Sequence, residues 1–171
     1  MDNDPALELV MEHLKTLAQR VSALNIKVAE RRELIDQYFA VNQQALTHTI
    51  SPKKVQVGNC DAYWFVPDQH DGKRRLLYIH GGSWMSGSVK GWGAFMGQIA
   101  NATGCAVLFI EYALMPEHPF PQGLEDCLNA YHWLMKHGPV KNEACPKIYM
   151  AGDSAGGNLT LSCLLALKEQ G

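Results

Sequence analysis

No apolar run in this sequence approaches the roughly 20 residues needed to span a bilayer, so no membrane-crossing helix is expected. Strong charge of either sign is missing too. Fifteen Lys and Arg against 17 Asp and Glu leave a formal net charge of -2, too little to select nucleic acid or an anionic membrane. The opening residues, MDNDPALELV, carry acids where a signal peptide would carry basic residues before an apolar stretch. The five cysteines, at 60, 105, 127, 145 and 163, are odd in number and fall in no metal-ligand spacing. Cys105 and Cys163 lie inside apolar runs, where a thiol behaves as a small buried hydrophobe. These gaps predict a reduced, cytoplasmic, soluble protein with no metal and no cofactor. On that reading the glycosylation-like triplets at Asn101 and Asn158 are chance matches.

Glycine and proline are absent between Ala6 and Thr49, and that absence points to helix. Leu7, Val10, Met11, Leu14, Leu17, Ala18, Val21 and Leu24 recur at three- and four-residue steps, one apolar stripe. A second pass over 29–45 has Leu34, Ile35, Tyr38, Phe39 and Val41 on its apolar side. Both stripes are expected to pack against the rest of the domain. From residue 51 the texture becomes that of short strands: KVQV, DAYWFVP, RRLLYIH, CAVLFIEY and KIYMAG. The last three are apolar enough to be buried on both sheet faces. Segments of helical length fall at about 90–102, 122–137 and 155–170. Turns at Asn59 and in DQHDGK separate the first three strands. The pattern predicts an α/β fold, a mostly parallel sheet with helices on both faces. At 171 residues, 47% hydrophobic and 19% charged, the chain can bury a real core.

The chemistry is concentrated in two glycine-rich turns. In GDSAGG, Gly152 and Gly156 flank Ser154 in a G-x-S-x-G pattern between strand and helix. Glycines there let the backbone turn sharply and hold the serine up, while the following helix aims free N–H groups at the same spot. The competing reading, a dinucleotide-phosphate turn, is disfavoured because Ser154 occupies the position where G-x-G-x-x-G needs its middle glycine. The second turn is YIHGGSWMSGS after an apolar strand, where backbone amides can approach a substrate closely. His80 abuts these glycines and is expected to brace the loop rather than to act as a base. His118, His132 and His137 are assigned to surface or packing roles. His13, His48 and His70 have no chemical neighbours in sequence, and nothing pairs any of them as metal ligands.

Taken in order, HGGSW at 80, EYALMPEHPFPQGLEDC at 111 and GDSAGG at 152 resemble the hormone-sensitive-lipase branch of the α/β-hydrolase fold, the serine carboxylesterases. A formamidase-like branch shares an HGG-plus-aromatic loop, but GDSAGG and MPEHPFP match the esterase branch better. The resemblance covers about 50–171 and implies that 1–50 form a helical cap segment and 51–171 the front half of a hydrolase core. It further implies that Ser154 is the nucleophile. The oxyanion hole would be the amides of Gly82, Ser83 and Ala155, with Gly81 shaping the loop; His80, Gly152, Asp153, Gly156 and Gly157 would be structural members of the motifs. Ser83 stands where the family most often has a third glycine, which narrows the acyl pocket without removing a backbone donor.

In this fold the triad runs Ser, then Asp or Glu, then His along the chain. After Ser154 the sequence has no histidine and no aspartate, and its one acid, Glu169, lies far along the helix. The expectation is a core that stops before its acid and base and is inactive alone, since a serine hydroxyl needs an adjacent base. KIYMAG would then be an exposed sheet edge prone to self-association. The alternatives are a non-catalytic small-molecule binding module and a truncated pseudo-enzyme acting through interactions. Expected partners are thus a small ester or ligand and, through the edge, a second copy.

Overall fold

The computed structural model describes residues 4–22, 26–40, 50–70 and 72–170. Two N-terminal helices, α1 (Pro5–Val21) and α2 (Val28–Ala40), precede five strands: β1 (Lys53–Val57), β2 (Cys60–Phe65), β3 (Arg74–Ile79), β4 (Ala106–Ile110) and β5 (Lys147–Gly152). Three helices complete the core: α3 (Val89–Thr103), α4 (Gln122–Leu134) and α5 (Ser154–Gln170). The sheet order is β1-β2-β4-β3-β5. β1 and β2 form a hairpin, β2 runs antiparallel to β4, and β3 is parallel to both β4 and β5.

Period-two alternation along β3 and β4 feeds two separate cores. Leu77, Ile79, Leu108 and Ile110 face α4 and α5, meeting Cys127, Ala130, Leu134, Leu159 and Cys163. Leu76, Tyr78, Val107 and Phe109 face α3, meeting Trp92, Met96 and Ala100. The ends of α3 follow local chemistry. Ser88 Oγ accepts from Lys90 N at 3.2 Å, and Gly104 at φ 64 closes the C-terminus with its N–H on Ala100 O.

Three expectations need correction. KIYMAG, predicted to be buried on both faces, is only half-buried as β5, because it pairs on one side alone and is the outer strand. α4 ends at Leu134 rather than 137: the buried Arg75 guanidinium donates from Nη1 to Leu134 O at 2.8 Å, and His137 instead stacks on Trp133. The first apolar stripe packs only in part. Leu17 is buried and Leu14 and Val21 half-buried, but Leu7 and Met11 are exposed, and Leu24 lies outside the described residues, as do Val41 and the rest of 41–45. α1 rests on α2, and α2 rests on α3, so the stripe meets one neighbour rather than a core.

The register puts the two glycine-rich turns side by side. Ile79, the last residue of β3, pairs with both Ile110 and Gly152. The turns after β3 and β5 therefore leave the sheet at the same edge, the carboxyl ends of its parallel strands.

Candidate active site

β5 ends at Gly152 and α5 begins at Ser154, leaving Asp153 as the whole connection. Ser154 is exposed and sits at φ 48, a left-handed backbone that costs an L-residue about 1–2 kcal/mol. The two flanking glycines explain how the turn tolerates it. A Cβ on Gly156 would run into the backbone carbonyl of Ile79, and one on Gly152 would lie 2.5 Å from the same oxygen. The elbow thus presses directly on the end of β3, and only glycine fits. Gly157 is less constrained, its nearest neighbour being Gly152 O at 3.3 Å.

Asp153 does more than fill the variable position of the motif. Its Oδ1 accepts from Gly81 N at 2.9 Å, Tyr78 Oη at 3.1 Å and Trp92 Nε1 at 3.1 Å. One carboxylate therefore ties the elbow to the neighbouring glycine loop and to α3. Burial, then the Asp153 charge, pushes the Tyr78 phenol well above its ordinary range. Gly81 must be glycine because a Cβ there would meet the Asp153 carboxylate.

His80 is fully buried, stacked on Tyr112 with ring centroids 4.4 Å apart and on Phe109 at 5.3 Å. Its Nδ1 donates to Gly81 O at 2.7 Å, and Tyr112 Oη donates to His80 O at 2.9 Å. Burial pushes the imidazole down to about 4, so it stays neutral at physiological pH and holds the loop. Beyond it Gly82, Ser83 and Trp84 follow in succession at φ 112, 56 and 58. Among the described residues, none accepts a hydrogen bond from the amides of Gly82, Ser83 or Ala155. The last of these opens α5, where the first-turn N–H groups have no partner within the helix.

Behind this loop a buried acid, Asp36, and a half-buried one, Glu111, hold the start of α3. Asp36 accepts from Ser88 Oγ at 2.6 Å, and Glu111 accepts from Val89 N at 2.8 Å. Burial is the main cause raising the pKa of each above the usual carboxylate range. Neither role shows in the sequence, because each depends on a partner more than 20 residues away.

The remaining histidines are scattered. His13 and His132 are exposed on helices, His118 is exposed in the loop before α4, His70 bonds Pro67 O, and His48 lies outside the described residues. No described histidine is hydrogen-bonded to Ser154. An apolar cavity of about 200 Å³ opens beside the loop, lined by Trp84, Tyr112, Met115, Phe120 and Leu159 among others, and includes Asn158 one turn along α5 from Ser154. Among the described residues no group of three His, Cys, Asp or Glu side chains is placed to hold a metal ion, and no helix is long and apolar enough to cross a membrane.

Comparison with known proteins agrees with this architecture. A family model described as the alpha/beta hydrolase fold matches residues 76–171, more than half of the chain. An acetyl-hydrolase of Streptomyces hygroscopicus is 41% identical over 119 residues, covering 68% of this chain and 38% of that protein. A hormone-sensitive lipase of Bos taurus is 38% identical over 106 residues, 61% of this chain and 14% of the relative. The crystal structure of an esterase from the bacterial hormone-sensitive lipase family superposes with a TM-score of 0.80 at 31% identity, covering all of this chain and 55% of that one. The chain therefore spans only part of the length of the relatives it matches.

Proposed function

This chain belongs to the hormone-sensitive-lipase branch of the α/β-hydrolase fold, and we propose that it carries the nucleophile and oxyanion donors of a serine carboxylesterase. The observation that carries the reading is Ser154, exposed at φ 48 on an elbow pressed against β3 and tied by Asp153 to the glycine loop with its open amides. Ser154 Oγ attacks the carbonyl of a small carboxylic ester. The amides of Gly82, Ser83 and Ala155 take the negative charge on the carbonyl oxygen, the alcohol leaves, and water releases the acid from the acyl-enzyme. The apolar cavity beside Trp84 supports a modest acyl or alcohol group as the part of the substrate bound there.

Attack requires a proton acceptor at Ser154, and His80 does not suit: its ring is sealed under aromatic side chains and committed to Gly81 O. We assign the base and its acid to polypeptide beyond this chain, which the greater length of the relatives leaves room for. On its own the chain would then turn over esters weakly or not at all. The five free cysteines, four of them buried, support a reducing compartment such as the cytoplasm. The unpaired side of β5 supports association with another strand. A second reading, ligand binding without turnover, is favoured by the cavity together with the absence of a described histidine bonded to Ser154.

Fluorophosphonate labelling of the purified chain, read by intact mass beside Ser154→Ala, tests the reading. Ser154-dependent labelling supports a nucleophile in an oxyanion-binding site, and its speed reports whether a base is present. A folded chain that never labels supports a nucleophile without its base and moves the question to what the cavity binds.

A further inference from the structure

We propose that Arg32, on the N-terminal helix α2, is a positioning residue for the loop that presents the Gly82 and Ser83 amides. The loop's catalytic meaning rests on the esterase reading; its attachment to Arg32 rests on geometry. Both edges of the guanidinium are used. On one edge Nε donates to Met85 O at 2.8 Å and Nη2 to Met115 O at 3.1 Å. On the other edge Nη1 and Nη2 take Glu117 Oε1 and Oε2 at 3.0 and 2.6 Å. Meanwhile Met115 N donates to Trp84 O at 2.8 Å. A ring closes: Arg32 to Met85, back one peptide to Trp84, across to Met115, and back to Arg32.

The ring falls where the loop most needs an external hold. Its near end, at His80 and Gly81, is fixed from the core by the His80 ring and the Asp153 carboxylate. Its middle is a local turn, with Met85 N and Ser86 N both on Gly82 O. Ser83 and Trp84 carry side chains at positive φ, a conformation that persists only when the surroundings over-determine it. Among the described residues Arg32 is the donor that reaches Met85 O. The same helix face continues the hold. Asp36, four residues on, accepts from Ser88 Oγ, and Phe39, seven on, packs on Trp92 with ring centroids 4.0 Å apart.

A simpler view makes Arg32 half of a surface ion pair with Glu117. That pair is partly exposed and by itself a weak brace. The two carbonyls distinguish the cases, because a lysine keeps the charge opposite Glu117 but cannot span Met85 O and Met115 O with a planar fork.

The test compares the full chain with Arg32→Lys and Glu117→Gln by amide hydrogen exchange, alongside fluorophosphonate labelling of Ser154. Arg32→Lys is expected to speed exchange at Met85, Ser86 and Met115 by about tenfold, with β3 and β4 amides unchanged, while Glu117→Gln changes them about twofold at most. In labelling, the bond-forming rate should fall by about tenfold or more with probe affinity held, as for a displaced oxyanion donor. The proposal is overturned if Arg32→Lys exchanges like the parent, if exchange rises equally through β3 and β4, or if Glu117→Gln matches it. A parent chain that never labels is the result expected of a nucleophile without its base, and the exchange comparison then decides the clamp alone.

Discussion

β4 and β5 have similarly apolar sequences, AVLFI and KIYMAG, yet lead opposite lives in one sheet. Every residue of β4 is buried, because β2 and β3 pair with it on either side and helices cover both faces. β5 is half-buried, with Tyr149 49% exposed, and α5 behind it leaves Leu161 and Leu165 each 65% exposed. The difference is one of place in the strand order rather than of composition. The candidate site lies across this boundary. The Gly82–Ser83 loop follows β3, whose strand residues from Arg75 to Ile79 are buried, while Ser154 follows the outer strand.

The contrast is broken most strongly from the β4 side. Leu108→Ala removes a fully buried side chain from the core shared with α4 and α5, and should cost about 4 kcal/mol in urea unfolding. A loss below about 1 kcal/mol would mean that the interior repacks freely and that the two strands are less different than their burial indicates.

Acid should act next, through His80. The imidazole is pushed down to about 4 by burial, against 6.5 unfolded, so the unfolded chain binds the extra proton first. Stability from this group is complete above about pH 6.5 and is lost as pH falls to about 4, roughly 3 kcal/mol in all. Asp36 and Glu111, raised by burial, act with the opposite sign over the range where they take up protons. His80→Gln should therefore abolish the acid loss due to the imidazole and leave the opposite slope of the carboxyls: the measurement is the difference in slope between parent and variant from pH 7 to pH 4. Equal slopes would mean that water reaches the ring.

Asp153→Asn sharpens the comparison at the seam itself. An amide oxygen can still face Gly81 N, Tyr78 Oη and Trp92 Nε1, but the charge that strengthens all three bonds is gone. About 2 kcal/mol of stability should be lost, and exchange at Gly81 should rise before exchange in β4.

How far these features can be read in the sequence depends on how local their causes are. The ends of α3 are legible, because Ser88 and Gly104 act on neighbouring backbone groups. The strand–turn–helix at Ser154 is legible because Gly152 and Gly156 sit within two residues of it. Alternate residues of RRLLYI and AVLFI fall in the two different cores, a split that the period of a strand makes readable. What fails is non-local. The stripe on α1 promises more burial than Leu7 and Met11 receive, since periodicity does not say whether a partner is present. α4 stops early because Arg75, far back in the chain, reaches Leu134 O. Arg32 looks like one more charge on an amphipathic helix until folding brings Met85 and Met115 to it. The three hydrogen bonds that Asp153 accepts are hidden in the same way, since nothing in GDSAGG names Tyr78 or Trp92.

The smallest expected effect is on the open flank. Leu165→Glu places a charge at a position already 65% exposed on α5, and should change unfolding stability by no more than about 0.5 kcal/mol. The same variant should leave Ser154 labelling unchanged, since position 165 lies three helical turns along α5 from the elbow. Sedimentation gives the informative comparison. If the flank is bare in solution, the variant and the parent have the same mass and nearly the same stability. If α5 and β5 are covered by a second copy, the charge lands in an apolar interface, the mass falls, and stability becomes dependent on protein concentration in the parent only. That outcome would replace the contrast between a buried strand and an exposed one with a contrast between two kinds of burial, one within the chain and one between chains.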